Sequence, residues 1–189
     1  PSRGIRESRR EPGGMAVKPG TYKLKMSFGN LVSEQNINVE FDPRLTYSKT
    51  DLSTRYEVGK QLEGYSQKLA DVTKQLAESN STAKEIAAKL AKSDKKKYAK
   101  QIKASKEIIK KIDDLLSLYF GKIDKRQGIT RSPEVTVTQR LGYANRYVRA
   151  RFGKITKTET ELISNFKNAL KEVLDKTNTF YSSDWAKFK

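Results

Sequence analysis

The sequence contains no cysteine and no histidine among its 189 residues. Their absence excludes disulfides, Cys or His metal sites, thiol nucleophiles and every catalytic triad that uses histidine as its base. No segment approaches the roughly 20 apolar residues of a membrane span, and none has the pattern of a signal peptide. We therefore expect a protein that is not an enzyme and that uses no cofactor or metal.

Positive charge, by contrast, is abundant. The 39 Lys and Arg residues outnumber the 22 Asp and Glu residues, so the net charge is +17, which predicts good solubility and attraction to polyanions. Hydrophobic residues make up 35% of the chain and the mean hydropathy is −0.77. This balance favours thin helical layers with solvated faces over a compact α/β enzyme.

Composition and periodicity divide the chain into a basic linker or arm at 1–18, a β-hairpin at 19–44 and a helical region at 48–189. In the hairpin, apolar residues alternate with polar ones, which is typical of a strand with one buried and one wet face. The apolar residues of the two strands are Tyr22, Leu24, Met26 and Phe28, then Ile37, Val39 and Phe41. Gly29 and Asn30 tolerate positive φ and supply the turn.

A lone β-hairpin is at best marginally stable in water. The hairpin must therefore pack on the helices of its own chain or complete a sheet formed by another segment or chain. We expect the second arrangement, with a strand edge at Tyr22, Leu24, Met26 and Phe28 as the candidate docking site.

In the helical region, apolar periodicity and cap signals predict four helices, at about 50–92, 94–120, 133–152 and 158–187. The first carries a heptad seam that requires a helical partner along its length. Its members are Val58, Leu62, Tyr65, Leu69, Val72 and Leu76, and the same phase continues through Ala83, Ile86 and Leu90. One long, kinked helix is favoured; two helices meeting at Asn80, where poor helix formers interrupt the pattern, are the alternative.

The short connection at 92–94 predicts an antiparallel helical hairpin. Ser132 with Pro133 signals the start of the third helix. A capping box, either Thr156 with Glu159 or Thr158 with Glu161, opens the fourth. The predicted fold class is thus mainly α: an antiparallel bundle of a long helical hairpin and two further helices, with a small N-terminal β-hairpin.

The lysine-rich start of the second helix is a candidate polyanion-binding site. Like charges there oppose the helix dipole, whose N-terminus prefers anions, so they would suit a phosphate-rich partner. The candidate residues are Lys95, Lys96, Lys97, Lys100, Lys103 and Lys106. Nucleic acid or an anionic surface is therefore a possible but not a favoured partner, because lysine runs on helices are usually solvated faces and specific readers add Arg, Asn or Gln.

The carboxylates offer little catalytic chemistry. Asp113 and Asp114 are adjacent on a helix, so they do not face one another and make a poor acid/base pair. Asp42 lies near Glu40, but a single Asp before proline is more typical of a turn than of a metal site.

The run GGMAVKPGTYKLKMSFGN, continued by VEFDPR and a Leu-heptad helix, resembles the C-terminal part of secreted sortilin-like β-propeller proteins of Bacteroidetes. That family is built from BNR repeats and is often described as glycosyl hydrolases. The matching motifs are Pro19-Gly20-Thr21-Tyr22 and Asp42-Pro43-Arg44, with similar lead-in residues at 1–3 and 11–14 and a similar tail at 178–185. The propeller and its Asp-boxes are absent, so no catalytic residue is transferred.

The resemblance implies an Ig-like sheet, a helical bundle, an exported parent protein and a missing N-terminal portion, which also fits a chain that starts at Pro1. The leading hypothesis is a non-catalytic accessory or interaction module of a larger extracytoplasmic protein, located in the periplasm, at the cell surface or outside the cell. It would dock through the hairpin edge and the helical bundle onto a protein partner or the missing N-terminal portion. The alternatives are polyanion binding and a fragment of a propeller-type glycosyl hydrolase.

Overall fold

The computed structural model describes residues 16–44, 46, 48–122 and 135–189. Two strands, β1 (Gly20–Phe28) and β2 (Leu31–Val39), precede four main helices. These helices are α1 (Lys49–Asp94), α2 (Ala99–Phe120), α3 (Val137–Arg149) and α4 (Lys157–Phe180). A π-helical turn (Tyr181–Trp185) and the short helix α5 (Ala186–Phe188) follow α4. The expected fold class, mainly α with a small N-terminal hairpin, is confirmed.

Helix α1 is a single element of 46 residues, about 69 Å long at 1.5 Å per residue. It begins where the side chain of Ser48 accepts a hydrogen bond from the backbone N–H of Asp51. The alternative of two helices meeting at Asn80 is wrong. The Asn80 side chain donates to Asp113 of α2 (3.0 Å), and the Thr82 hydroxyl donates to the Glu78 carbonyl instead of capping a new helix.

The turn between α1 and α2 is longer than predicted. The carboxylate of Asp94 accepts hydrogen bonds from the backbone N–H groups of Lys96 and Lys97, at 3.0 and 2.9 Å. Asp94 therefore caps a turn at 95–98, and α2 begins at Ala99 rather than at 94. Gly121 ends α2 with φ +82°, a conformation that glycine adopts without steric cost.

The third and fourth helices both begin with a capping box. Thr136 and Gln139 form the box of α3, which starts at Val137. The predicted cap at 132–133 lies outside the described residues, and residues 135–136 are not helical. Thr156 and Glu159 form the box of α4, so the first of the two predicted pairs is used.

One continuous hydrophobic core joins the four helices. Its buried members come from every helix: Leu62, Leu69, Leu76 and Ala83 of α1, Ile108, Ile112, Leu116 and Tyr119 of α2, Val137, Leu141, Ala144 and Val148 of α3, and Phe166, Leu170, Val173 and Phe180 of α4. The heptad seam predicted for α1 lines this core from Val58 to Ala83. Its predicted continuation does not, since Ile86 is exposed and Leu90 lies outside the core. Within this core, Tyr119 shares a hydrogen bond with Thr177 (2.9 Å), which links α2 to α4.

The two strands pair antiparallel, with Phe28 opposite Leu31 and Gly20 opposite Val39. The loop at 29–30 has positive φ only at Gly29 (+55°), as a type II′ turn requires. Pairing ends before Phe41, which was expected in the return strand. The residue before Gly20 is Pro19, which has no N–H to extend the ladder.

Candidate functional site

One face of the hairpin is apolar and exposed. Residues opposite each other across the strands share a face, so the four predicted docking residues lie together with Leu31, Ile37 and Val39. Two polar residues share this face, because Gln35 lies opposite Leu24 and Ser33 lies opposite Met26. Their exposure rises toward the turn, from 58% at Leu24 to 70% at Met26 and 84% at Phe28. Tyr22 is half-buried near the base. The structure thus brings the predicted residues together on one face, and the described residues leave Leu24, Met26 and Phe28 exposed there.

The opposite face of the hairpin is polar except for Val32, which lies opposite Ser27. Lys23 and Lys25 both approach the carboxylate of Glu34, at 3.0 and 3.7 Å. Within the described residues the sheet has only these two strands, so each strand keeps one edge free of a strand partner. The largely apolar face and both edges lie in the same element, and large exposed apolar patches often mark interaction sites.

Lys18 attaches the base of the hairpin to α1. Its ammonium group donates to Glu57 (2.8 Å) and to Ser53 (3.2 Å) and lies 4.4 Å from the centre of the Tyr56 ring. The Tyr22 hydroxyl donates to the backbone carbonyl of Lys18 (2.6 Å). A small set of polar contacts therefore holds the hairpin at the N-terminal end of α1.

A cavity of about 980 Å³ lies at this junction. Its walls come from the base of the hairpin, the first turns of α1 and the end of α3, including Phe41, Leu52 and Phe152. Cationic side chains also line it, among them Lys49 and Arg149. The sequence pattern did not predict this cavity, because its walls come from three segments far apart in the chain.

Behind one wall of the cavity lies a buried ion pair between Arg55 of α1 and Glu159 of α4, with N–O distances of 2.9 and 3.3 Å. The same guanidinium donates to three backbone carbonyls at the end of α3 and in the connection from α3 to α4. These are the carbonyls of Val148 (2.8 Å), Gly153 (2.8 Å) and Lys154 (3.0 Å). All five guanidinium N–H donors are thus used, so Arg55 fixes the α3–α4 connection against α1 and has no donor left for a ligand.

The carboxylate of Glu159 is equally well bonded. Burial by itself raises the pKa of Glu159. Hydrogen bonds from Arg55 and from the backbone and hydroxyl of Thr156 act in the opposite direction and are stronger together, so the pKa falls to about 2. The guanidinium of Arg151 also comes within 3.4 Å of this carboxylate. Glu159 is therefore ionised near neutral pH despite being 1% exposed.

Arg55 was missed from the sequence, although a signal was present. The seam residues Val58 and Leu62 continue backward by three residues to position 55. A charged residue at a buried seam position needs a partner, and in this chain the partner is 104 residues away. The pattern marks Arg55 as buried but does not identify Glu159.

The predicted polyanion site lies at the tip of the α1–α2 hairpin. Its six lysines are exposed: three lie in the turn at 95–98 and three on the outer side of α2. Between positions 84 and 111 there are eleven lysines and three acidic residues, a net charge of +8. In the described part of the chain no ion pair involves a lysine from 84 to 110; Lys111 pairs with Asp184.

The structure does not bring the candidate carboxylates together. Asp113 bonds to Asn80 inside the helical hairpin, Asp114 is exposed, and Asp42 pairs with its neighbour Arg44 (2.6 Å). Among the described residues there is no cluster of three or more Asp, Glu, His or Cys side chains able to hold a metal.

Comparison with known proteins gives no match to a family model, a curated protein or a solved structure. The resemblance to sortilin-like proteins therefore stays a prediction. The structure itself defines the class of the fold: a helical bundle that carries a β-hairpin at one end. No helix in the described segments is long and apolar enough to cross a bilayer.

Proposed function

We propose that this protein is a non-catalytic interaction module of a larger extracytoplasmic protein, and that it docks by completing a β-sheet. The strands that join the hairpin would come from a protein partner or from a preceding portion of the same protein. The observation that carries the proposal is the largely apolar face of the hairpin, exposed from Leu24 to Leu31. Among the described residues no strand pairs with either outer edge beside this face.

Energetics favour an added sheet over permanent exposure. Fully burying a Leu, Met or Phe side chain is worth about 1.5–3 kcal/mol, and the hairpin exposes several of them on one face. Strand addition supplies main-chain hydrogen bonds for affinity, while alternate side chains enter pockets that give specificity. The bundle has its own continuous core, so it would hold the hairpin as a rigid support.

Site-specific photo-cross-linking in the organism that makes the protein tests this proposal. A benzophenone amino acid at Met26 or Phe28, on the apolar face, should cross-link to an extended segment absent from the present chain. The same probe at Lys25 or Ser27, on the polar face, is the matched control and should give little product. Cross-links from the apolar face to the chain's own helices would show a self-contained fold and contradict the proposal.

A second candidate function, polyanion binding, is favoured by the tip of the α1–α2 hairpin. Its concentration of lysines lacks acidic partners among the described residues, so the positive field is not neutralised locally. Lysines that neutralise phosphates release condensed counterions, which makes binding strongly salt dependent. Nucleic acid is the polyanion used in the test because its phosphates are regularly spaced and the dependence of its protein affinity on salt is well understood.

Fluorescence anisotropy with a labelled DNA duplex tests this second function. The triple variant Lys100→Glu, Lys103→Glu and Lys106→Glu should lose at least about tenfold in affinity near 50 mM salt. The control Lys68→Glu, Lys74→Glu and Lys171→Glu changes the net charge equally but lies elsewhere. Equal losses in both variants would indicate general charge attraction, and no binding by the parent chain would reject the function.

A further inference from the structure

The cavity at the junction of hairpin and bundle has two apolar walls. Val17 and Phe41 contribute from the hairpin side, while Leu52, Tyr56, Val148 and Phe152 contribute from α1 and the end of α3. Its volume of about 980 Å³ is at the upper end of the range of small-molecule sites, roughly 300–1,000 Å³. The apolar lining suits a hydrophobic body of several rings or a chain of carbons.

The charges that line the cavity are mostly positive. Five of its lining residues are Lys or Arg and one, Glu40, is acidic. Glu40 accepts a hydrogen bond from Asn38 (3.0 Å), and Arg55 and Lys18 use their donors on Glu159 and Glu57. Arg151 lies 3.4 Å from Glu159. Lys49 and Arg149 have no ion pair within the described residues, so they are the two lining cations left to meet a ligand.

We propose that this cavity binds a small amphipathic organic anion, with an apolar body between the hairpin and the bundle and an acidic group against Lys49 and Arg149. The inference goes beyond the docking function, since it concerns a small molecule and the base of the hairpin rather than its exposed face. A bound ligand would contact both walls at once and stabilise the hairpin in one position on the bundle.

Two dyes with the same aromatic skeleton provide the test. One is 8-anilinonaphthalene-1-sulfonate, which carries a sulfonate, and the other is N-phenyl-1-naphthylamine, which has the same rings without the charge. Fluorescence titration of each dye on the full chain separates the contribution of the anionic group from that of the apolar body. Displacement by dodecanoate, with dodecyltrimethylammonium as the cationic counterpart, extends the test to carboxylates.

The variant Lys49→Glu with Arg149→Glu should weaken binding of the sulfonate dye about tenfold, a loss expected for one charged hydrogen-bonding group, and should change binding of the neutral dye less than twofold. The control Lys68→Glu with Arg146→Glu makes the same charge change on the same two helices, outside the cavity. It should leave both affinities within twofold of the parent chain.

Two further outcomes overturn the proposal. If the control variant lost as much affinity for the sulfonate dye as the cavity variant, net charge alone would explain the attraction of the dye. Loss of binding in Met26→Ser with Phe28→Ser, without loss in the cavity variant, would place the dye on the exposed face of the hairpin. Circular dichroism spectra check that the substitutions, which are all at exposed positions, leave the helices intact.

Discussion

At the scale of single residues, the most consequential side chain is Arg55. It links α1 to the α3–α4 connection through a carboxylate and three carbonyls. Removing one partner of a buried ion pair leaves an uncompensated charge, which costs about 3–5 kcal/mol. Replacing both by apolar residues of similar size is often neutral, because desolvation of the two charges is then avoided.

We expect Glu159→Ala to lower the free energy of unfolding by about 3–5 kcal/mol, because it leaves Arg55 buried without its carboxylate. Urea denaturation measures the change. Glu161→Ala is the matched control, since that exposed carboxylate lies 3.9 Å from Lys157 and a surface pair contributes at most about 1 kcal/mol. Equal effects of the two substitutions would contradict the role assigned to the buried pair.

The pH dependence of stability gives a second prediction at this scale. The pKa of Glu159 is about 2 in the folded chain against an ordinary value of 4.5, so the lowered pKa stabilises the fold above pH 4.5. That contribution, about 3 kcal/mol from the pKa difference, is lost as the pH falls from 4.5 toward 2. The stability difference between the parent chain and Glu159→Gln should shrink over this interval; a difference independent of pH would contradict the low pKa.

At the scale of elements, the β-hairpin depends on its turn more than on packing. Gly29 has φ +55°, and a Cβ at this position would meet no heavy atom within 4 Å. Any cost of a substitution there comes from the backbone conformation and not from crowding. Gly64 in α1 and Gly142 in α3 also have open space around them, but they are helical, so alanine is favoured there.

We therefore expect opposite effects of the same substitution. Gly29→Ala should cost the hairpin about 1–2 kcal/mol because the left-handed conformation is strained for alanine, which is enough to unfold an uncovered hairpin. Gly64→Ala should stabilise the bundle by about 0.5–1 kcal/mol. Amide chemical shifts report whether the hairpin is folded, and thermal unfolding reports the stability of the bundle. A more stable hairpin in Gly29→Ala would contradict the turn geometry.

At the scale of the whole molecule, the charge of +17 acts against compactness. The described residues contain surface ion pairs, but positive charge is in excess, and like charges repel more strongly in the folded chain. Salt screens this repulsion between exposed groups with a Debye length of about 10 Å at 0.1 M. The buried Arg55–Glu159 pair is screened much less.

We expect the melting temperature to rise as sodium chloride increases from about 0.02 to 0.2 M, by about 2–4 °C for each kcal/mol of relieved repulsion. Differential scanning calorimetry at constant pH measures the change. The triple variant Lys100→Glu, Lys103→Glu and Lys106→Glu lowers the positive excess, so its melting temperature should respond less. A melting temperature that falls with salt would show that attractive surface pairs outweigh the repulsion.

Much of the architecture was accessible from the sequence because its signals are local. The heptad seam from Val58 to Leu76 required a long helix with helical partners, and the alternation from Tyr22 to Phe28 required a strand. The start of α3 was misplaced because the Ser132-Pro133 signal was used and the capping pair of Thr136 and Gln139 was overlooked. The shared face of Tyr22, Leu24, Met26 and Phe28 could be predicted because it follows from strand alternation, whereas the cavity could not be predicted from any local pattern.

The sequence by itself determined the helices, the strands, the hairpin turn and the excess of positive charge, since each depends on residues within a few positions of one another. Only the tertiary structure decided that Arg55 pairs with Glu159, that the hairpin's apolar face is uncovered by the described residues, and that hairpin and bundle together line a cavity. The physical reason is distance along the chain. Contacts across about 100 residues depend on how preformed elements pack together, and no local pattern encodes that arrangement.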